Sequence, residues 1–225
     1  MTSDDIAANV ARVRERIGRA CDRACRERAS VRLIAVSKTH PVAAVEAAYA
    51  AGIRDFGENR VQEALPKIAA ARAHGVDATW HLIGHLQTNK AAATIDAFDI
   101  LQSVDSIRLA EALSGRTSHK LTVLVEVNVA GEASKEGVAV EDAPALVRHL
   151  GQFPNIAPAG LMTVAPRVEN PEQVRPVFRR LRELRDELGL PELSMGMTDD
   201  FEVAIEEGAT MVRVGRAIFG EREGR

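Results

Sequence analysis

Lys38 ends the first strong apolar run of the sequence, Val31-Arg32-Leu33-Ile34-Ala35-Val36-Ser37-Lys38. The run reads as a buried strand, rich in β-branched and aliphatic residues. Alternation puts Arg32, Ile34, Val36 and Lys38 on one face and Leu33, Ala35 and Ser37 on the other. Thr39-His40-Pro41 then breaks it. A lysine amine partly removed from water is more easily deprotonated, and the free amine condenses with a carbonyl to form a Schiff base. On this segment alone, a surface lysine at a strand end is the plain alternative.

A second group lies near the C-terminus. Ser194-Met195-Gly196-Met197-Thr198-Asp199-Asp200 and Arg213-Val214-Gly215-Arg216 both follow strand-like runs. Thr198 offers a hydroxyl where a helix is expected to begin, Gly215 allows close backbone approach, and Arg216 opens a last short helix. Loops and helix starts of this kind hold anions, phosphate above all. A helix cap at Thr198 and a turn glycine at 215 would account for the same residues. Arg213 shares a strand face with Met211 and Gly215. A buried arginine needs an acceptor, and either a cofactor ring nitrogen or a carboxylate such as Glu126 meets that need. A guanidinium against a pyridine nitrogen keeps that nitrogen unprotonated and weakens the ring as an electron sink. Glu58 reads as an acidic residue in a helix first turn. His81 and His85 have helical zinc spacing, but Trp80-His81-Leu82-Ile83-Gly84 reads as strand and turn, with no third ligand nearby.

The elements that must position these residues alternate. A helix is expected over residues 3 to 28, carried by Ile6, Val10, Val13 and Ile17 at three- and four-residue steps. Strands are expected at 31–37, 53–57, 80–84, 99–103, 121–128, 156–162, 192–195 and 210–214. Helices are expected at 41–51, 58–74, 87–96, 105–115, 141–151, 171–188, 199–207 and near 216–220. Eight βα units predict a parallel (β/α)8 TIM barrel with an extra N-terminal helix, and function then sits at the C-terminal strand ends. An open dinucleotide-binding sheet is disfavoured, because no G-x-G-x-x-G follows the first strand.

Composition narrows the classes. The chain has 225 residues and a net charge of -3, with 27% charged and 4% aromatic residues. That fits one domain over residues 1–225, with neither a basic face nor the stacking residues that nucleic acid requires. No apolar run reaches the roughly 20 residues that span a bilayer. The polar opening Met1-Thr2-Ser3-Asp4-Asp5 does not read as a signal peptide, so a cytoplasmic protein is expected, and the lack of an obvious apolar interface helix favours a monomer. Cys21 and Cys25 are expected on one helix face, reduced and without a metal role.

Several motifs carry a resemblance. Leu33 to Lys38, Phe56-Gly57-Glu58-Asn59-Arg60-Val61-Gln62-Glu63, Trp80 to Lys90, Gly160-Leu161-Met162-Thr163, Leu193 to Asp200 and Val212 to Gly220 resemble, in order, segments of the pyridoxal phosphate homeostasis proteins. The resemblance implies a fold-type III barrel like the N-terminal domain of alanine racemase, with pyridoxal 5'-phosphate as cofactor. It implies a Schiff base on Lys38 and a phosphate held near Thr198, Gly215 and Arg216, with Ser194 close by. Arg213 would face the pyridine nitrogen and Asn59 would lie near the cofactor. Thr198 and Arg216 depart from the family pattern, in which Ser and Ser or Thr are common at these places. The resemblance further implies a carrier or buffer of the cofactor, with apo-enzymes that use pyridoxal phosphate as possible recipients. A racemase or related lyase on the same barrel is the alternative. A two-base racemase of the alanine racemase type draws a tyrosine from a second domain. Here Tyr49 is the lone tyrosine and lies in the first helix after the Lys38 strand, which favours the carrier.

Overall fold

The computed structural model describes residues 1–132 and 136–221. Eight parallel strands close into a barrel in chain order: β1 (Arg32–Val36), β2 (Asp55–Glu58), β3 (Thr79–Leu82), β4 (Ile100–Val104), β5 (Leu121–Glu126), β6 (Ile156–Met162), β7 (Glu192–Ser194) and β8 (Met211–Val214). Closure is direct, since Ile34 pairs with Arg213 and Ala35 with Val214. The outer layer holds α2 (Val42–Ala50), α3 (Val61–Ala73), α4 (Ala91–Thr94), α5 (Ile107–Ser114), α6 (Ala143–Leu150), α7 (Arg175–Glu187), α8 (Phe201–Glu206) and α9 (Arg216–Phe219). Most of the buried apolar side chains lie between the strands and these helices, among them Phe56, Trp80, Leu101, Phe178 and Phe201. Inside the barrel, Ile34, Leu124, Met162 and Met211 form a separate small cluster. Pro158 has no N–H for the ladder, and the β5–β6 register shifts beside it, between Val123 and Leu124.

The expected barrel and extra helix are both present. The helix α1 (Ser3–Arg23) starts at a Thr2–Asp5 capping box and lies against α2, α8 and α9, outside the β8–β1 seam. Its apolar stripe joins the core, and Arg16 holds Glu202 of α8 through two bonds of 2.9 Å. It ends at Arg23, short of the residue 28 that the periodicity predicts. Cys25 takes a positive φ of 52°, and the Arg26 and Arg28 guanidinium groups find acceptors at the Ile205 carbonyl and Asp22. Cys21 is therefore buried on the helix and Cys25 is exposed beyond it, both as free thiols. The helix expected over 87–96 is a 3-10 turn, Thr88–Lys90, followed by the single turn α4. No helix among the described residues is long and apolar enough to cross a membrane.

Candidate functional site

Parallel closure brings the chemistry-bearing residues to one rim. Lys38 follows β1, Asn59 follows β2, Ser194 ends β7 and Thr198 lies in the turn beyond it. Arg213 is on β8, with Gly215 and Arg216 just after. Since β8 adjoins both β7 and β1, and β1 adjoins β2, these residues occupy one continuous sector. A Cβ on Gly215 would lie 3.2 Å from the Val36 carbonyl oxygen, so the absence of a side chain lets the β8 exit lie close against β1. The Arg213 N–H donates to the Gly196 carbonyl at 3.0 Å, lacing the loop after β7 to β8.

Lys38 is half-buried and stands two residues past β1, in a turn that includes Thr39 at a φ of 67°. Left-handed backbone is uncommon for a β-branched residue and persists only when its surroundings hold it. Here they do. The Thr39 N–H donates to Glu63 of α3. Ser37, fully buried, donates from Oγ to Glu58 Oε1 at 2.7 Å. Lys67 of α3 reaches in, with Nζ 2.7 Å from the same Glu58 oxygen and 2.8 Å from the Ser37 carbonyl. Glu58 is thus not in a helix first turn; it ends β2, fully buried, because its carboxylate anchors the lysine turn. Burial raises its pKa, against the opposing pull of Lys67 and Ser37.

Asn59 follows directly. Its Oδ1 is buried and has no hydrogen-bond partner among the described residues. Buried polar oxygens are nearly always bonded, so an orphan at a rim marks a place for an external donor. Gly84 makes room for it, as a Cβ there would come within 2.3 Å of the Asn59 carbonyl oxygen.

Arg213 is buried inside the rim. Its Nη1 donates to Ser194 Oγ at 2.7 Å and its Nη2 to the Thr163 carbonyl at 2.7 Å. The direct acceptors are therefore neutral; Glu126 and Asp200 act on it only as nearby charges. Burial lowers the Arg213 pKa to about 10, against the pull of those carboxylates. Burial also lifts Glu126 to about 7, with Arg213 opposing and Asp105 and Glu136 adding to the rise. Thr198 does not cap α8. Asp200 occupies that position, and its Oδ1 accepts the Met197 N–H at 2.6 Å, leaving the Thr198 hydroxyl half-buried in the turn before it. The exposed Arg216 side chain pairs with Asp199 and Glu221, tying the two loops together.

Glu126 carries a prediction. Its folded pKa lies above the ordinary 4.5, so the stability it contributes is complete below about pH 4.5 and is lost as pH rises through 7. The loss is roughly 2–3 kcal/mol. Urea unfolding at pH 4.5 and 8.5 is expected to show this fall in the native chain and its absence in Glu126→Gln. Equal falls in both proteins would remove Glu126 as the source.

The two histidines separate. His81 points into the barrel, whereas His85 lies on the outer rim with Asp105 and Glu136 at 3.3 and 3.6 Å. Their ligand atoms lie within 4.8 Å of one another, the one such triad among the described residues, but His85 and Glu136 are solvated. A cavity of about 440 Å³ beside them is lined by Leu86, Gln87 and Arg108, and not by Lys38, Asn59 or Arg213. Tyr49 packs its ring under Arg54 at the opposite end of β2 from Asn59, with the guanidinium 4.1 Å from the ring centre.

The site's geometry has counterparts. A family model described as alanine racemase, N-terminal domain, matches residues 2–223. The pyridoxal phosphate homeostasis protein of Aquifex aeolicus is 47% identical, over 95% of this chain and 97% of its own. The chain belongs to this family. The Pseudomonas aeruginosa member is 48% identical over 97% of this chain and 96% of its own. Among solved structures, PipY of Synechococcus elongatus with pyridoxal phosphate bound is 38% identical. It superposes with a TM-score of 0.83 over 96% of this chain and 100% of its own. Family membership thus extends to the fold, a closed barrel of the alanine racemase N-terminal type.

Proposed function

We propose that the protein binds pyridoxal 5'-phosphate at this rim and acts in its homeostasis, as a carrier or buffer without robust turnover. The observation that carries the reading is the convergence, in one rim sector, of a lysine on a pinned turn, an Asn59 oxygen without a partner among the described residues, and a buried arginine that carries N–H groups beyond the two bonded to Ser194 and Thr163. The donor set fits the group. Lys38 would supply the amine, and its condensation with the cofactor aldehyde forms one C=N bond and releases one water. Arg213 would face the ring nitrogen and Asn59 the ring. The Thr198 hydroxyl and the backbone around Gly215 and Arg216 would hold the phosphate, with Ser194 acting through Arg213. When bound, the cofactor supplies an electron sink, and a guanidinium at its nitrogen weakens that sink. Tyr49, engaged beneath Arg54, offers no base at the rim. Release to apo-enzymes, a monomeric state and a cytoplasmic setting belong to the same proposal.

The test loads the purified protein, records its visible spectrum, and follows deuterium uptake at Cα across a panel of L- and D-amino acids. Slow exchange without multiple turnovers, together with transfer to an apo-enzyme, is the expected result. Multiple turnovers on any amino acid would establish an enzyme instead. Charge-assisted phosphate bonds contribute about 1.5–3 kcal/mol each. Thr198→Ala is therefore expected to lose the cofactor at least tenfold faster on dilution, and Thr198→Ser to behave like the native chain. Unchanged retention in Thr198→Ala would leave the phosphate to backbone groups alone.

A further inference from the structure

The interior of the barrel holds a chain of polar side chains that the cofactor site does not by itself require. From Arg213 it continues through Ser194 Oγ to Gln102 Oε1 at 2.7 Å. Gln102 Nε2 lies 2.9 Å from His81 Nδ1, and His81 Nε2 lies 3.0 Å from Asp55 Oδ1. Ser194, Gln102 and His81 are fully buried, and Asp55 stands at the start of β2, at the opposite end of the barrel from the rim. There Arg32 Nε is 3.8 Å from Asp55 and its Nη2 is 3.5 Å from Glu192. Barrel interiors are ordinarily filled by aliphatic layers, and polar networks in such places often cost stability. In this barrel Ile34, Leu124, Met162 and Met211 fill only part of the space.

The ends of the chain dictate its polarity. A guanidinium only donates, and a carboxylate only accepts. Ser194 therefore turns its lone pair to Arg213 and its proton to the Gln102 carbonyl. Gln102 turns its NH2 toward His81 Nδ1, and the other amide proton has the Met211 sulfur as acceptor at 3.5 Å. His81 is then neutral, with its proton on Nε2 facing Asp55. Reversing the Gln102 amide would set its oxygen against the Met211 sulfur and require a second proton on a fully buried ring.

We infer that Gln102 and His81 are positioning residues for Arg213: from the floor of the barrel they hold the Ser194 oxygen toward the guanidinium, so that its remaining N–H groups stay aimed at the cofactor ring. The part of this that concerns the ring rests on the proposed role of Arg213; the polarity of the chain does not. Aligned donors also reinforce one another in a low-dielectric interior.

Long-range ¹H–¹⁵N NMR on the full chain without added cofactor is expected to show His81 protonated on Nε2 only. A proton on Nδ1, in either the other tautomer or the imidazolium, overturns the polarity without reference to any ligand. In Gln102→Leu the Nδ1 resonance should move toward that of a free imine nitrogen, a change that mere core filling would not produce. After loading with ring-¹⁵N pyridoxal phosphate, the same variant is expected to shift the ring-nitrogen resonance and to lose cofactor about tenfold faster. An unmoved ring resonance with native retention overturns the positioning role. If Arg213→Leu also leaves that resonance unmoved, the fault lies in the assignment of Arg213 to the ring, and the tautomer result still decides the chain.

Discussion

Lys38→Ala is expected to be colourless after incubation with pyridoxal phosphate and to carry no borohydride-fixed adduct, where the native chain is yellow and carries one. The effect is close to all-or-none because the bond is covalent and Lys38 is the lysine that follows β1 in the rim sector of Asn59 and Arg213. Lys67 is the nearest candidate by element, but it is buried and its Nζ is engaged by the Glu58 carboxylate and the Ser37 carbonyl. Lys120 is exposed on the segment before β5, and Lys90 ends the short 3-10 turn after β3. Lys135 lies outside the described residues. Peptide mapping of the reduced native protein should therefore find the label on the Lys38 peptide. A label found chiefly on any other lysine would defeat the assignment.

The parts of this site visible in the sequence are those that local rules govern. Lys38 was legible because an apolar, β-branched run ends in a polar turn, and a closed parallel barrel makes every such end a rim position. Arg213 was legible because alternation from Met211 aims it inward, and Met211 does lie in the interior cluster. The barrel itself follows from eight alternating runs. Short-range ambiguity explains the smaller misses. Thr198 and Asp200 are both good helix caps by residue type; the chain enters α8 at Asp200, whose carboxylate makes no bond into the helix and instead accepts the Met197 N–H of the preceding turn. Glu58 resembles a first-turn acid because the helix pattern that follows extends back over it, whereas its pairing with Leu82 makes it the last residue of β2, with its carboxylate buried against Lys67 of α3.

What remained hidden depends on residues distant in sequence. Ser194 and Gln102 are 92 positions apart, and nothing in either segment marks the other as its partner. The orphan Asn59 oxygen is defined by the absence of a neighbour, which no motif encodes. His81 looked like a weak metal candidate and proved to be a link in the barrel interior, because only the closed fold puts Asp55 and Gln102 on its two nitrogens.

The lysine turn depends on one such distant pair, and Lys67→Met should expose it. Removing the ammonium leaves the Glu58 carboxylate fully buried with Ser37 Oγ as its one remaining bonded partner among the described residues, and strips a donor from the Ser37 carbonyl. Breaking a buried ion pair from one side costs about 3–5 kcal/mol, a large fraction of a domain's stability. The sign with pH follows from Glu58. Its folded pKa is already raised by burial, so the stability it contributes is full in acid and is lost as pH rises through the folded value. Without Lys67 the carboxyl loses its main stabilising charge and climbs further, so the variant's deficit should be small near pH 5 and grow toward pH 8. Glu58→Gln combined with Lys67→Met should recover much of the loss, since no charge is then stranded. Urea unfolding of the three proteins at both pH values reads these terms directly. A deficit in Lys67→Met below about 1 kcal/mol at pH 8 would mean that the pair is not what holds the turn. Where the deficit is found, loosening of the Ser37 carbonyl should also weaken cofactor retention, because Lys38 is the next residue along the chain.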